Sequence, residues 1–272
     1  MRDDRNAGSA DAPAVWFAYS PDRQGKHPQA HLSDFHGVLQ ADAYGGYDRL
    51  FSAEREGGAL TEAACWAHAR RKIHDVYISS KSATAEEALK RIGELYDIEA
   101  EIRGRPEAER LTVRQERSRP RLDALHEWMV EKTATLSKKS RLGEAFGYVL
   151  NQWEALCYYC GDGLAEPDNN AAERAVRAVC LGKKNYLFFG SDHGGERGAL
   201  LYGLLGTCRL NGIDPEAYLR ISSACCRNGP STKWRNCCRG TWFCLTDQRQ
   251  HGARCALTDA EQGKFISRTR WQ

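Results

Sequence analysis

The chain lacks any apolar run near the roughly 20 residues that cross a bilayer as a helix, which excludes a transmembrane anchor of that kind. Its opening stretch, MRDDRNAGSADAP, lacks the apolar segment of a secretory signal and the acid-poor composition of a transit peptide, so the cytoplasm is the expected compartment. A dominant charge sign is lacking too. The 39 Lys and Arg against 36 Asp and Glu leave a net +3, which requires no polyanionic partner and leaves that question to local clusters. There is no internal repeat. Cysteine is the residue not in short supply, at 11. Five cysteines lie between Cys65 and Cys208 and six between Cys225 and Cys255; at this length and without a signal peptide they do not make a secreted disulfide scaffold.

What is present is an ordinary globular composition, 42% hydrophobic and 28% charged over 272 residues, enough for one large or two small domains with a sizeable core. AVWFAYS (14–20) is a β-prone run ended by PDRQGKHP. Residues 37–42 form a second strand leading into a glycine turn, and ALTEAA a third, followed by a helix carrying Arg70, Arg71 and Lys72. From 82 to 157 the period becomes helical. Leu89, Ile92, Leu95 and Tyr96 share a face, as do Leu122, Leu125, Trp128 and Met129, and then Leu142, Ala145, Phe146, Val149 and Trp153. Pro106 and Pro120 mark breaks. A capped helix starts after Asp168 and runs to about Leu181; NYLFFGSDHGGERG reads as an aromatic strand or turn with a glycine-rich loop. An apolar helix then stops at Asn211-Gly212, and a last one starts at Asp214 and Pro215.

From about Ser222 the composition changes: two leucines, no valine, six cysteines and seven arginines predict an irregular, disordered tail over 222–272. Codons encoding NGPSTKWRNCCRG, read two bases on, yield WPINKVEELLPW, a helical apolar pattern that continues DPEAYLRI. A frameshift near residue 221 is therefore expected, and the tail cysteines carry no selected role.

Two acidic residues stand where chemistry is often placed. Asp42 ends a strand and Glu173 sits in the first turn of a helix, though a turn residue and a dipole complement account for each separately. Brought together, two or three hard oxygen ligands suit Mg²⁺ or Mn²⁺, and such ions support phosphodiester chemistry. Arg174, Arg177, Lys183 and Lys184 follow Glu173 and, with Arg70 and Arg71, are suited to phosphates; a solvated, ion-paired face is the alternative. Seven arginines between Arg103 and Arg121, interleaved with acidic and amide residues, read as an exposed charged helix, with DNA contact as the functional alternative. The spacings of Cys65 with His68 and of Cys157 with Cys160 admit a zinc site, against the simpler reading of cysteines packed in a core and a His68 near or beneath the active site.

The blocks LQADAYGGYDRLF, AACWAHARRKIHD, DNNAAERAVRAVCLGKKNYLFFGSDHGGERGA and LLGTCRLNGIDPEAYL, in this order over about residues 1–221, resemble the transposases of the insertion-sequence-66 family. The resemblance implies an α/β fold: a ribonuclease-H-like domain with an Asp-Asp-Glu triad and a helical insertion before the glutamate. On it, Asp42 takes the second aspartate and Glu173 the glutamate. Residues 1–77 and 161–221 become the two parts of the catalytic domain, and 78–160 the insertion. It implies Mg²⁺ or Mn²⁺ as cofactor, DNA (transposon ends and target) as partner, a homo-oligomer when intact, and a nucleoid association in a bacterial cytoplasm. The triad's first aspartate is expected upstream of the residues matched here, and neither Asp3 nor Asp4 fills that place. The expected function is DNA transposition by a fragment inactive alone. A non-catalytic remnant that binds DNA or transposase is the alternative, and a ribonuclease-H-like nuclease without strand transfer accounts less well for the four blocks.

Overall fold

The computed structural model describes residues 3–42, 44–137, 139–228 and 266–267. After α1 (Lys26–His31), the strand β1 (Val38–Gln40) leads through α2 (Asp48–Phe51) to β2 (Thr61–Ala63). β1 and β2 are parallel, with Val38 opposite Thr61 and Gln40 opposite Ala63, as a strand–helix–strand crossover requires. The crossover is held by a small core of Leu32, Leu39, Ala41, Tyr47, Leu50 and Leu60. A two-residue strand, β3 (Ile266–Ser267), pairs in parallel on the other edge of β1. The chain is thus mostly helical around a small parallel sheet, compatible with the expected α/β class.

Helix α3 (Trp66–Ser80) turns Ala69, Ile73 and Val76 inward at helical spacing and ends on Lys81 in the left-handed region, φ 51°. Next come α4 (Ala83–Ile102), α5 (Glu107–Val113), a π-helical stretch Arg114–Ser118, α6 (Arg119–Thr135), α7 (Arg141–Asn151) and α8 (Trp153–Cys157). Pro106 caps α5, whereas Pro120 falls in the first turn of α6, where its missing N–H is tolerated and the helical run is not broken. The apolar faces expected on α4, α6 and α7 meet: Ile92, Leu95, Leu122, Leu125, Met129, Phe146 and Val149 join Trp66, Ile73 and Val76 in one core. Each such side chain contributes roughly 1.5–3 kcal/mol on burial. The helices after α3 therefore lean on α3 itself, and the Trp66 indole donates to the Leu156 carbonyl at 2.9 Å.

The arginine-rich stretch departs from an exposed charged helix at its centre. Arg110 and Arg114 are 1% and 0% exposed. Arg114 donates to both oxygens of buried Glu99, at 2.8 and 2.6 Å, and to the carbonyls of Tyr159 and Asp162 at 3.0 and 2.6 Å. Arg110 meets Glu166 at 2.6 Å and Glu99 at 3.6 Å. Arg105, Arg117, Arg119 and Arg121 pair with Glu109, Glu101, Asp123 and Glu94, so most of the stretch's charge is answered within the chain.

Three more helices follow: α9 (Asn170–Tyr186), α10 (Asp192–Leu210) and α11 (Pro215–Asn228). The glycine-rich loop expected at GSDHGGERG is instead the start of α10. Ser191 caps it by accepting from Gly194 N at 3.1 Å, and Asp192 complements its dipole, a signal that outweighs the glycines. The strand expected at 14–20 is extended chain that follows α10 rather than joining the sheet. Val15 exchanges hydrogen bonds with the Thr207 hydroxyl at 3.1 and 3.2 Å, and Pro13 accepts from Asn211. Glycine makes the approach possible, since a Cβ at Gly206 would stand 2.7 Å from the Val15 methyl. The expected tail begins inside α11, and its stretches 229–265 and 268–272 lie outside the described residues.

Candidate active site

Asp42 stands two residues beyond β1, on the end of the parallel pair where β2 also finishes. The register continues past the strands, with Ala41 N donating to the Ala63 carbonyl at 3.1 Å. Cys65 and Trp66, two and three residues beyond β2, open α3 at this same end. The chain entering α9 is stitched here at several points. Gln40, buried in β1, donates to the Glu166 carbonyl at 2.7 Å; Trp66 N donates to the Pro167 carbonyl at 3.0 Å; and the Cys65 thiol meets Asn169 Oδ1 at 3.1 Å. Asp168 accepts from Asn170 N and from the Tyr96 hydroxyl, which burial, with the Asp168 charge added, pushes well above the usual phenol range. These bonds bring the N-termini of α3 and α9 together beyond the carboxyl end of the sheet.

Glu173, one turn into α9, consequently faces His68, one turn into α3, with Oε1 and Nε2 3.4 Å apart and both side chains partly exposed. The other ring nitrogen, Nδ1, is buried without a partner. Asp42 carries the second such atom: its Oδ1 is buried and accepts no hydrogen bond. A buried carboxylate oxygen left unpaired costs more than a typical hydrogen bond returns, so this atom is open to a water or a cation, as are other buried atoms such as Ser118 Oγ and Tyr159 Oη to a donor or water. Tyr148, on α7, is raised chiefly by burial, with the Asp42 and Glu62 carboxylates adding to it. Asp42 thus follows the end of β1, and Glu173 sits against His68 where the N-termini of α9 and α3 meet.

The six basic candidates are all exposed, Arg70 and Arg71 on α3 and Arg174, Arg177, Lys183 and Lys184 on α9. Unlike Arg105, Arg110, Arg114, Arg117, Arg119 and Arg121, none of their side chains makes a hydrogen bond or ion pair with another described residue. The six are therefore exposed cations, four at or near the N-terminal halves of α3 and α9 and two, Lys183 and Lys184, in the last turn of α9.

The zinc site that the cysteine spacings admitted is not formed. Among the described residues no three His, Cys, Asp or Glu side chains come together to hold a metal ion. Cys65, Cys157 and Cys160 are free thiols, and burial pushes them up to about 11, 12 and 11, so they pack as thiols in the core. Sequence reasoning passed over Gln40 and Asn169, each about fully buried and each fastening α9 to the sheet. A lone amide in the strand GVLQAD and an Asn at a helix cap were the available signals.

The sequence model of the transposase IS66 family matches residues 1–197. Protein y4hP of Sinorhizobium fredii (strain NBRC 101917 / NGR234) is 41% identical over 243 residues, 85% of this chain and 44% of y4hP. Protein y4qI of the same strain is 38% identical over 221 residues, 80% of this chain and 41% of y4qI. The chain therefore spans less than half the length of these relatives. No solved structure matches it.

Proposed function

Because the chain belongs to the transposase IS66 family, we propose that it is the part of a metal-dependent Asp-Asp-Glu transposase in which Asp42 and Glu173 hold a divalent cation beside a bound DNA strand. The observation that supports this reading is the fastening of the chain entering α9 to the β1/β2 end, through Gln40 on the Glu166 carbonyl and the Cys65 thiol on Asn169. A small parallel sheet with a strand-end aspartate and a long helical segment before the glutamate supports a ribonuclease-H-like core interrupted by residues 78–160.

The donor chemistry fits a hard cation. Asp42 and Glu173 offer carboxylate oxygens, and the unpartnered Asp42 carboxylate would be among the residues that hold such an ion. Bound there, Mg²⁺ or Mn²⁺ would activate an attacking oxygen and stabilise a leaving one in phosphodiester cleavage and joining. His68 holds the Glu173 carboxylate in orientation, a positioning role. Arg70, Arg71, Arg174, Arg177, Lys183 and Lys184 grip phosphates without reading sequence. The triad's remaining aspartate would come from the part of the protein that this chain does not span, and the whole protein would act as a homo-oligomer on paired transposon ends.

A second reading is a non-catalytic remnant that binds DNA or transposase without reacting. Titrating a labelled duplex at several salt concentrations tests what both share. Affinity should fall with salt, with a log–log slope of about −0.9 for each phosphate neutralised, and the Arg174→Ala/Arg177→Ala variant should flatten it by about 2. Binding that ignores salt would overturn the DNA reading. Mn²⁺-dependent nicking of the duplex by this chain, abolished by Glu173→Gln, would overturn both the second reading and the expectation that the chain is inactive alone.

A further inference from the structure

Between α9 and α10 the chain reverses through Leu187, whose φ and ψ are 63° and −51°. Phe188 N donates to the Tyr186 carbonyl at 2.7 Å, closing a three-residue γ-turn of the positive-φ kind. That turn is rare and strained, and a leucine has no conformational reason to prefer it. Apart from Lys81 at the end of α3, Leu187 is the one non-glycine residue with positive φ among the described residues. Strain of this kind persists where the surroundings hold it, and points to a use for what it displays.

What it displays is apolar. Leu187 and Phe188 are 68% and 71% exposed. Their neighbours brace the turn: the Tyr186 and Phe189 rings lie 5.1 Å apart, the Tyr186 hydroxyl meets that of Tyr202 at 3.3 Å, and Phe189 packs onto Gly198, where any side chain would collide with its ring. Tyr186 and Phe189 are thus used as foundation, and Leu187 and Phe188 between them are held out into water. Lys183 and Lys184, in the last turn of α9, lead into the turn, the Lys183 carbonyl accepting from Leu187 N at 2.8 Å, and their exposed side chains make no ion pair with a described residue.

An apolar tip with a basic collar matches a polyanion that also offers flat apolar surface. Nucleic acid meets both conditions once a base step opens, when a Phe or Leu side chain enters the gap and cations hold the flanking phosphates. We propose that Leu187 and Phe188 form a wedge that stacks against unstacked bases of bound DNA, with Lys183 and Lys184 on the neighbouring phosphates. This rests on the DNA reading above and adds to it a preference for distorted or unpaired sites over intact duplex. The strained turn keeps the wedge presented, so DNA binding need not order it.

The test uses the full chain and two duplexes, one intact and one with a mismatched 2-aminopurine. The parent chain should bind the mismatched duplex more tightly and raise its 2-aminopurine fluorescence as the base unstacks. Phe188→Ala, at an exposed position, should keep the melting temperature and the salt slope while losing the fluorescence rise and about tenfold in affinity for the mismatched duplex, the scale of one base–aromatic stack. Lys183→Ala/Lys184→Ala should weaken both duplexes alike and flatten the salt slope. Leu187→Gly should raise the melting temperature, by releasing strain, while lowering the fluorescence response. Normal discrimination and fluorescence in Phe188→Ala would overturn the wedge and leave the DNA reading standing. Loss of a DNA-free dimer in that variant, with discrimination unchanged, would assign the tip to a second copy of the chain. Failure of the parent to bind either duplex would overturn both.

Discussion

Replacing Arg114 with alanine removes the centre of the polar network that ties α4 to the turn before α9. The guanidinium is fully buried and answers four acceptors: both oxygens of Glu99 at 2.8 and 2.6 Å, the Tyr159 carbonyl at 3.0 Å and the Asp162 carbonyl at 2.6 Å. Glu99 is itself 5% exposed, and after the truncation its remaining cation is Arg110, at 3.6 Å. Stranding one member of a buried ion pair costs about 3–5 kcal/mol, and the carbonyls add to the loss. At about 2–4 °C for each kcal/mol in a chain of this size, the melting temperature should fall by about 6–20 °C. Differential scanning calorimetry of Arg114→Ala beside Arg105→Ala, whose exposed partner is Glu109, provides the contrast. The second variant should stay within about 1 kcal/mol of the parent. Adding Glu99→Gln to Arg114→Ala should recover part of the loss, because a neutral amide is cheaper to leave unpaired than a charge. A change below about 1 kcal/mol for Arg114→Ala would refute the assignment of that network as a buried structural pair.

Three further outcomes follow from single contacts. Gln40→Leu deletes the bond to the Glu166 carbonyl; it should cost about 1–3 kcal/mol and increase hydrogen exchange at the start of α9, and unchanged exchange there would remove Gln40 from the account. Gly194→Ala sets a Cβ against the Phe189 carbonyl, so the first turn of α10 should fray, read as loss of amide protection at residues 192–195; an unchanged exchange pattern contradicts it. Burial raises the Cys65, Cys157 and Cys160 thiols above their ordinary 9.0, so their contribution to stability is complete below pH 9 and is lost as pH rises toward about 11 to 12. Urea midpoints should fall across that window, native thiols should resist iodoacetamide at pH 8, and alkylation at the unfolded rate would contradict the burial.

The helical segment was legible because its signal is periodic: the faces ending in Met129 and Val149 each repeat at 3.6 residues and each is buried. The strands at 37–42 and ALTEAA were legible as β-prone runs, though only three residues of each pair. AVWFAYS misled for a tertiary reason. Its β-propensity is satisfied by a helix lined with small residues, because Thr207 supplies the hydrogen bonds that a neighbouring strand would have given. GSDHGGERG misleads because its glycines disfavour a helix that the Ser191 cap nonetheless starts. The burial of Arg110 and Arg114 was illegible, since their partners Glu99 and Glu166 lie on other segments and local sequence shows only alternating charge. For the candidate site, sequence alone placed Asp42 at a strand end and Glu173 in a first turn. The contact of His68 with Glu173 depends on fastenings made by Gln40, Trp66 and Cys65, which no spacing rule displays.

The central claim is that Asp42 and Glu173 hold one divalent cation between them, and localised cleavage by bound iron reads it without requiring catalysis. Fe²⁺ added in place of Mg²⁺, with ascorbate and peroxide, releases hydroxyl radicals that cut the backbone within a few ångströms of the ion. Fragments mapped by mass spectrometry should end near residue 42 and near residue 173 in the same sample, should fade as Mg²⁺ competes, and should vanish together in Asp42→Asn or in Glu173→Gln. Cuts near one of the two positions that survive substitution at the other, or cuts near neither, would contradict a shared ion.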